Sequence, residues 1–201
     1  MSKLEQAEFV LVIIIAAVFC FFTFHLLIKL KKQKKIYENK IQSLENEIRH
    51  DPMTGTLSRK GFIEAMEFQL ADDPNGTLLI FDVNGFKMVN DTFGHMEGDL
   101  LIKRFSSRLQ RAFDKQLVGR LGGDEFLVFV SGECNKGFIN GRIKKAGIAE
   151  FPDKVTKLTL TSCCGAAIAP KNGTNFDDLY RMADKALYRS KASAHEIVYC
   201  K

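Results

Sequence analysis

The run Arg120-Leu121-Gly122-Gly123-Asp124-Glu125-Phe126 confines the middle of the chain to one local topology. Paired glycines lead into two acids, and Phe126-Leu127-Val128-Phe129-Val130 follows at once with the length and composition of a buried strand. Gly-Gly before such a strand is a hairpin tip, where the backbone takes positive φ and no side chain blocks a ligand. A hairpin requires antiparallel pairing, so the sheet around it is at least partly antiparallel. Two readings of the tip stand side by side. It is either a solvated turn carrying two exposed acids, or a bare turn offering carboxylate oxygens and room to a metal ion and a phosphate.

The N-terminal portion obeys a different rule. Phe9 to Ile28 contains only two polar side chains, Thr23 and His25. As a helix its 20 residues span about 30 Å, the thickness of a bilayer's hydrocarbon core. A cleaved leader fits less well, because the start is not basic and no small-residue cleavage pattern follows. Lys29, Lys31, Lys32, Lys34 and Lys35 come next and account for the whole net charge of +5. Without them, 24 basic residues face 24 acidic ones, so the charge is no argument for nucleic-acid binding. It is a positive-inside signal. The expectation is a single-pass segment at 9–28 in the inner (plasma) membrane, a short external stretch at 1–8 with no sensor domain, lysines on lipid headgroups, and a cytoplasmic C-terminal portion. Leu27, Leu30, Tyr37, Ile41, Leu44 and Ile48 then keep a spacing of threes and fours. This short coiled-coil seam within 29–50 suits a parallel homodimer or a helix lying on its own domain. The five cysteines show no CxxC spacing and read as small apolar filler.

From Asp51 onward the pattern is that of one domain, 51–201. Asp51-Pro52 ends the linker helix. Ser58 caps a helix from Arg59 to about Leu70 with Phe62, Met66 and Leu70 inward. Thr77–Val83 is a central strand that delivers Asp82 at its end. Asn84-Gly85-Phe86-Lys87 leaves it as a turn, and a helix from about Gly94 to Phe113 buries Leu101, Phe105 and Leu109. The hairpin is Leu117–Leu121 with Phe126–Val130. A short helix fills Lys136–Ala149, a long strand region runs from Val155 to Ala169, a helix from Phe176 to Lys191 with Leu179, Met182, Ala186 and Leu187 inward, and a last strand from Glu196 to Cys200. Helices between strands that pair as hairpins argue for an α+β domain around a mainly antiparallel sheet.

An aspartate ending a buried strand is costly unless it binds something. With the hairpin acids beside it, Asp82 and Asp124 have the form of a two-carboxylate metal site for phosphoryl transfer. Lys87 and Lys191 are candidates to meet phosphates as point charges. At this point the chain resembles a diguanylate cyclase of the GGDEF family, over about three-quarters of its length. The resemblance rests on Asp51-Pro52-Met53-Thr54-Gly55, Phe81–Lys87, Asn90–His95, Gly98-Asp99, Gly122–Phe126 and Ala183–Tyr188 with Lys191.

The resemblance implies a palm-like fold of the nucleotidyl-cyclase, ferredoxin-like kind. It implies two domains facing each other, each holding one GTP, and production of cyclic di-GMP and pyrophosphate. By position it implies Asp82, the Val83 carbonyl and Asp124 as ligands of two magnesium ions, with manganese as an alternative. Asn90 and Asp99 then read guanine, Phe86, Lys87 and Lys191 meet phosphate, Gly122 and Gly123 form the signature turn, and Asp124 or Glu125 assists in deprotonating the 3′-hydroxyl. On the residues alone, Asn90 is equally a turn residue, Asp99 a helix first-turn acid and Lys191 a helix C-terminal charge.

Three departures stand out. Asn84 replaces the usual second aspartate. Lys191-Ala192-Ser193-Ala194-His195 places His195 where an arginine usually meets phosphate, and an imidazole does not replace a bidentate guanidinium. Arg111-Ala112-Phe113-Asp114 has the residues of the family's inhibitory motif two places too early. The family register holds Phe113 and Gln116 instead, so weak or absent product inhibition is expected. An active cyclase is the leading reading. The alternative is a catalytically weak or inactive domain that acts as a membrane-anchored GTP-binding or protein-interaction module.

Overall fold

The computed structural model describes residues 3–146, 148, 150–152, 159–192 and 197–200, with side chains at 19–41, 48–146, 148, 161–192 and 197–200. His195 and the start of the expected strand at Val155 lie outside the described residues. The chain divides into two compact units, Met1–Asn46 and Glu47–Lys201.

The first unit is a single helix, α1 (Lys3–Arg49), whose last turn belongs to the second unit. Phe19, Phe21, Phe22, Phe24, Leu26 and Leu27 are all exposed along it. So are the seam residues Leu30, Tyr37, Ile41 and Ile48. Among the described residues no helix is long and apolar enough to cross a membrane. Residues 9–18, half of the apolar run, lie outside those with described side chains.

The second unit opens with α2 (Arg59–Asp72), capped as expected by Ser58, whose hydroxyl accepts from the Gly61 N–H. β1 (Gly76–Val83) follows, then α3 (Phe86–Phe93), α4 (His95–Ala112), β2 (Leu117–Gly122), β3 (Glu125–Ser131), α5 (Lys136–Lys145), β4 (Glu150–Pro152), β5 (Thr159–Ala169), α6 (Phe176–Ala192) and β6 (Ile197–Tyr199). The expected turn at Phe86-Lys87 is the start of a helix. At eight residues α3 is too short to reveal a period, and Asn90 and Asp91 favour turns when read locally. What makes it a helix is packing, since Val89 is fully buried under it. Within the expected strand region, Thr159–Ala169 is the single strand β5, and the unexpected short strand β4 pairs with its start.

The sheet runs β2-β3-β1-β5-β4, and β6 also pairs with β5. All pairings are antiparallel except β5 with β6. Alternation along β1 separates two cores. Leu79, Phe81 and Val83 join Leu101, Phe105 and Leu109 of α4 with Ile139 and Ile143 of α5. Leu78 and Ile80 join Phe62, Met66 and Leu70 of α2 with Leu179, Ala183 and Leu187 of α6. Met182, expected inward, is only half-buried, and Ala183 takes its place where α6 comes down on the sheet. The sheet is therefore mainly antiparallel and covered by helices on both faces, as an α+β reading requires.

Phe105 joins the first core together, with ring centroids 6.4 Å from Phe81 and 5.2 Å from Phe126. Phe105→Ala should cost about 3–5 kcal/mol of stability through the cavity it leaves. Denaturant unfolding of the full chain would measure the loss.

Candidate active site

Asp82 is the second-last residue of β1 and lies directly opposite Glu125, the first residue of β3. Both occupy the face shared by Ile80 and Leu127, the side on which α6 packs. Between β2 and β3 only Gly123 and Asp124 remain for the turn. Gly122 has φ 151° and Gly123 φ 55°, both hostile to a side chain. A Cβ at either would meet nothing within 4 Å, so the turn is open as well as bare. The Val83 N–H donates to the Asp124 carbonyl at 3.3 Å, holding the turn against the end of β1. Asp82, Val83, Asp124 and Glu125 are thereby gathered at one end of the sheet.

Lys191 reaches this end of the sheet from the last turn of α6, and its Nζ donates to Asp82 Oδ2 at 2.8 Å. The Asp82 side chain is 14% exposed. Burial raises the Asp124 carboxyl above the usual aspartate range, and the neighbouring Asp82 charge adds to this. Glu125 is raised by burial and then by Asp82 and Asp124. Burial works against the Lys191 ammonium, but its hydrogen bond to Asp82 outweighs that and lifts its pKa. Three crowded carboxylates answered by one ammonium are an under-neutralised donor set, and hard oxygens suit a divalent cation. Among the described residues no three Asp, Glu, His or Cys side chains are drawn together tightly enough to enclose an ion. Backbone or ligand oxygens would have to complete the coordination.

The other face supplies a second group. Phe86 and Lys87 begin α3, with Phe86 half-buried and Lys87 exposed. Asn90 is half-buried on α3, and Asp99 is half-buried on α4. Asn84 turns to β5 instead, its Nδ2 donating to Thr161 Oγ1 at 3.0 Å.

Sequence reasoning assigned no role to Arg120, Tyr180 or Asp184. Arg120 donates to the Gly123 carbonyl at 2.7 Å and 3.1 Å and pairs with Asp51 at 3.3 Å. Asp51 in turn accepts from the Thr54 N–H at 2.8 Å and its hydroxyl at 2.7 Å. The Asp51-Pro52-Met53-Thr54 turn is thus a bracket for the arginine that grips the signature turn. Glu125 raises the pKa of the already partly buried Tyr180, and Asp184 acts on both. Their only sequence signal is spacing, since Tyr180, Asp184 and Lys191 fall on one stripe of α6.

Arg111 lies in the last turn of α4, and the chain turns at 113–116. Phe113 is core, and Asp114 pairs with Arg142 at 2.6 Å. Arg111 lines a cavity of about 780 Å³ with Arg108, Arg142, Lys145 and Phe138, and Asp82, Asp124 and Glu125 are not part of that lining.

Fold and site together define an α+β domain with an acidic, cation-seeking edge beside a bare turn. The chain belongs to the GGDEF family: the model for the diguanylate cyclase GGDEF domain matches residues 48–196. An uncharacterized protein of the hutH 5′ region of Streptomyces griseus is 35% identical over 71% of this chain and 62% of its own length. Probable diguanylate cyclase DgcI of Escherichia coli is 34% identical over 76% of this chain and 33% of its own. The chain therefore spans under two-thirds of either relative. The coiled coil and GGDEF domain of DgcB from Caulobacter crescentus, solved with c-di-GMP, superposes with a TM-score of 0.75 at 20% identity, over 86% of this chain and 96% of that one. That likeness establishes the palm-like GGDEF fold.

The Asp51 bracket has a pH signature. Burial alone would raise the Asp51 carboxyl, but hydrogen bonds from Thr54 and the charge of Arg120 outweigh it and hold the pKa below the ordinary value of 3.8. A lowered folded pKa contributes stability above the unfolded value and loses it as pH falls through the folded one. Asp51→Asn should therefore cost about 1–2 kcal/mol at neutral pH. The gap from the parent should narrow as the pH falls below the ordinary value of 3.8 and through the lowered folded one. Thermal unfolding of the two chains across pH would test this.

Proposed function

We propose that this chain is a diguanylate cyclase that condenses two GTP molecules into cyclic di-GMP with release of two pyrophosphates. The observation that carries the reading is the β1–β3 register, which sets Asp82 opposite Glu125 under the Gly122-Gly123 turn and within reach of Lys191. Its family membership supplies the reaction class.

In this reading Asp82, Asp124 and the Val83 carbonyl hold two magnesium ions, with manganese able to replace them. The ions, when bound, draw charge from the reacting phosphate and make the attacking hydroxyl more acidic. Asn90 and Asp99 orient guanine by its edge. Phe86 and Lys87 at the N-terminus of α3 border the phosphates, and Lys191 leaves Asp82 to meet them as a point charge. Asp124 or Glu125, whose pKa values already lie high for carboxylates, takes the 3′-hydroxyl proton. In each half-reaction the 3′-oxygen of one GTP bonds the α-phosphorus of the other, and the bond to pyrophosphate breaks. One domain presents one GTP, so two chains must face each other.

The seam residues exposed on α1 support a homodimer through the linker helix. The apolar run at 9–28, its exposed phenylalanines and the five lysines after it support a single-pass anchor in the plasma membrane, with lipid around the run and the catalytic domain in the cytoplasm. Neither role requires nucleic acid.

The full chain, purified in detergent and supplied with GTP and magnesium, should form cyclic di-GMP. Asp124→Ala should lose at least roughly a hundredfold in rate while keeping its fold, because the residue sits on a turn. A well-folded parent that forms no cyclic di-GMP would overturn the reading.

A further inference from the structure

Gly98 is the fourth residue of α4 and is buried. Glycine is, after proline, the residue least suited to a helix interior, so alanine would ordinarily improve the helix here. Packing explains why it is absent. A Cβ at Gly98 would clash with Asn90 Oδ1, well inside van der Waals contact, and would lie 2.9 Å from Asn90 Cγ and 3.1 Å from Phe86 Cε2. Both neighbours lie on α3, the helix that carries the proposed base and phosphate contacts. Asn90 Oδ1 is buried and has no hydrogen-bond partner among the described residues. No hydrogen bond to that oxygen fixes the carboxamide, so its rotamer is set by packing against the bare Cα of Gly98.

We propose that Gly98 is a positioning residue for base specificity: its missing side chain is the slot that seats the Asn90 carboxamide, with Phe86 beside it, in the orientation that meets a guanine. The inference rests on the reading of Asn90 as a guanine contact. It distinguishes guanine nucleotides from other purine triphosphates, because phosphate contacts made by Lys87 and Lys191 do not pass through Gly98.

The test is equilibrium binding to the full chain, with magnesium, of 3′-deoxy-GTP and 3′-deoxy-ATP, which lack the attacking hydroxyl. Gly98→Ala should weaken 3′-deoxy-GTP by about tenfold or more and leave 3′-deoxy-ATP within about twofold. In an Asn90→Ser background, where the shorter side chain frees the slot, adding Gly98→Ala should cost less than about threefold more. If Gly98→Ala alone does not fold, recovery of folding in the Asn90→Ser double variant supports the same clash. Equal loss for both nucleotides, no loss at all, an undiminished loss in the Asn90→Ser background, or failure of both variants to fold overturns the role of Gly98. A parent chain that does not prefer 3′-deoxy-GTP to 3′-deoxy-ATP overturns the guanine reading itself, and this inference with it.

Discussion

Two carboxylates face each other across the β1–β3 ladder, and the rest of the domain is arranged around that repulsion. Asp82 and Glu125 are cross-strand partners on one face, where like charges destabilise the pair. Neither strand can slip to relieve it. A one-residue shift would turn Phe81 and Phe126 out of one core and Ile80 and Leu127 out of the other. The hydrophobic register therefore holds the charges together, and Lys191 offsets part of the cost. Concentrated negative charge with incomplete internal neutralisation is what a hard cation and a triphosphate require.

The two helical layers divide the remaining work. α6 packs on the face of Asp82 and Glu125 and brings Lys191, Asp184 and Tyr180 to them. α3 and α4 cover the opposite face and carry Phe86, Asn90 and Asp99. The turn joining β2 to β3 would be loose if left to its glycines. Arg120 prevents this by donating to the Gly123 carbonyl while Asp51 holds the guanidinium from behind. Asp51 follows closely on the end of α1, and Ser58 fastens that end by donating to the carbonyls of Ile48 and Arg49. Polar contacts thus secure both the last turn of α1 and the signature turn.

Much of this was legible in the chain. The hairpin, the central strand ending in Asp82, the capped α2 and the inward faces of α2 and α4 follow from period, capping and turn chemistry, which act over a few residues. The candidate site was legible as motifs, and the two acidic runs do meet. α3 was not, because eight residues with Asn90 and Asp91 among them look like a turn until Val89 is seen to be buried. Arg120 was hidden in plain sight next to the glycines, since nothing local distinguishes a buried clip from a surface charge.

By itself the sequence determined which residues carry charge, where most of the strands and helices begin, and which face of each of these is apolar. These are properties of neighbours in the chain, decided by backbone preference and side-chain period. Only the tertiary structure decided that Asp82 meets Glu125 rather than another strand end, that Lys191 crosses to Asp82 from 109 positions away, and that Gly98 must be bare for Asn90 to lie where it does. Those outcomes depend on strand order, sheet register and the distance between packed helices. They are set by burying two cores at once, and no stretch of sequence encodes them alone.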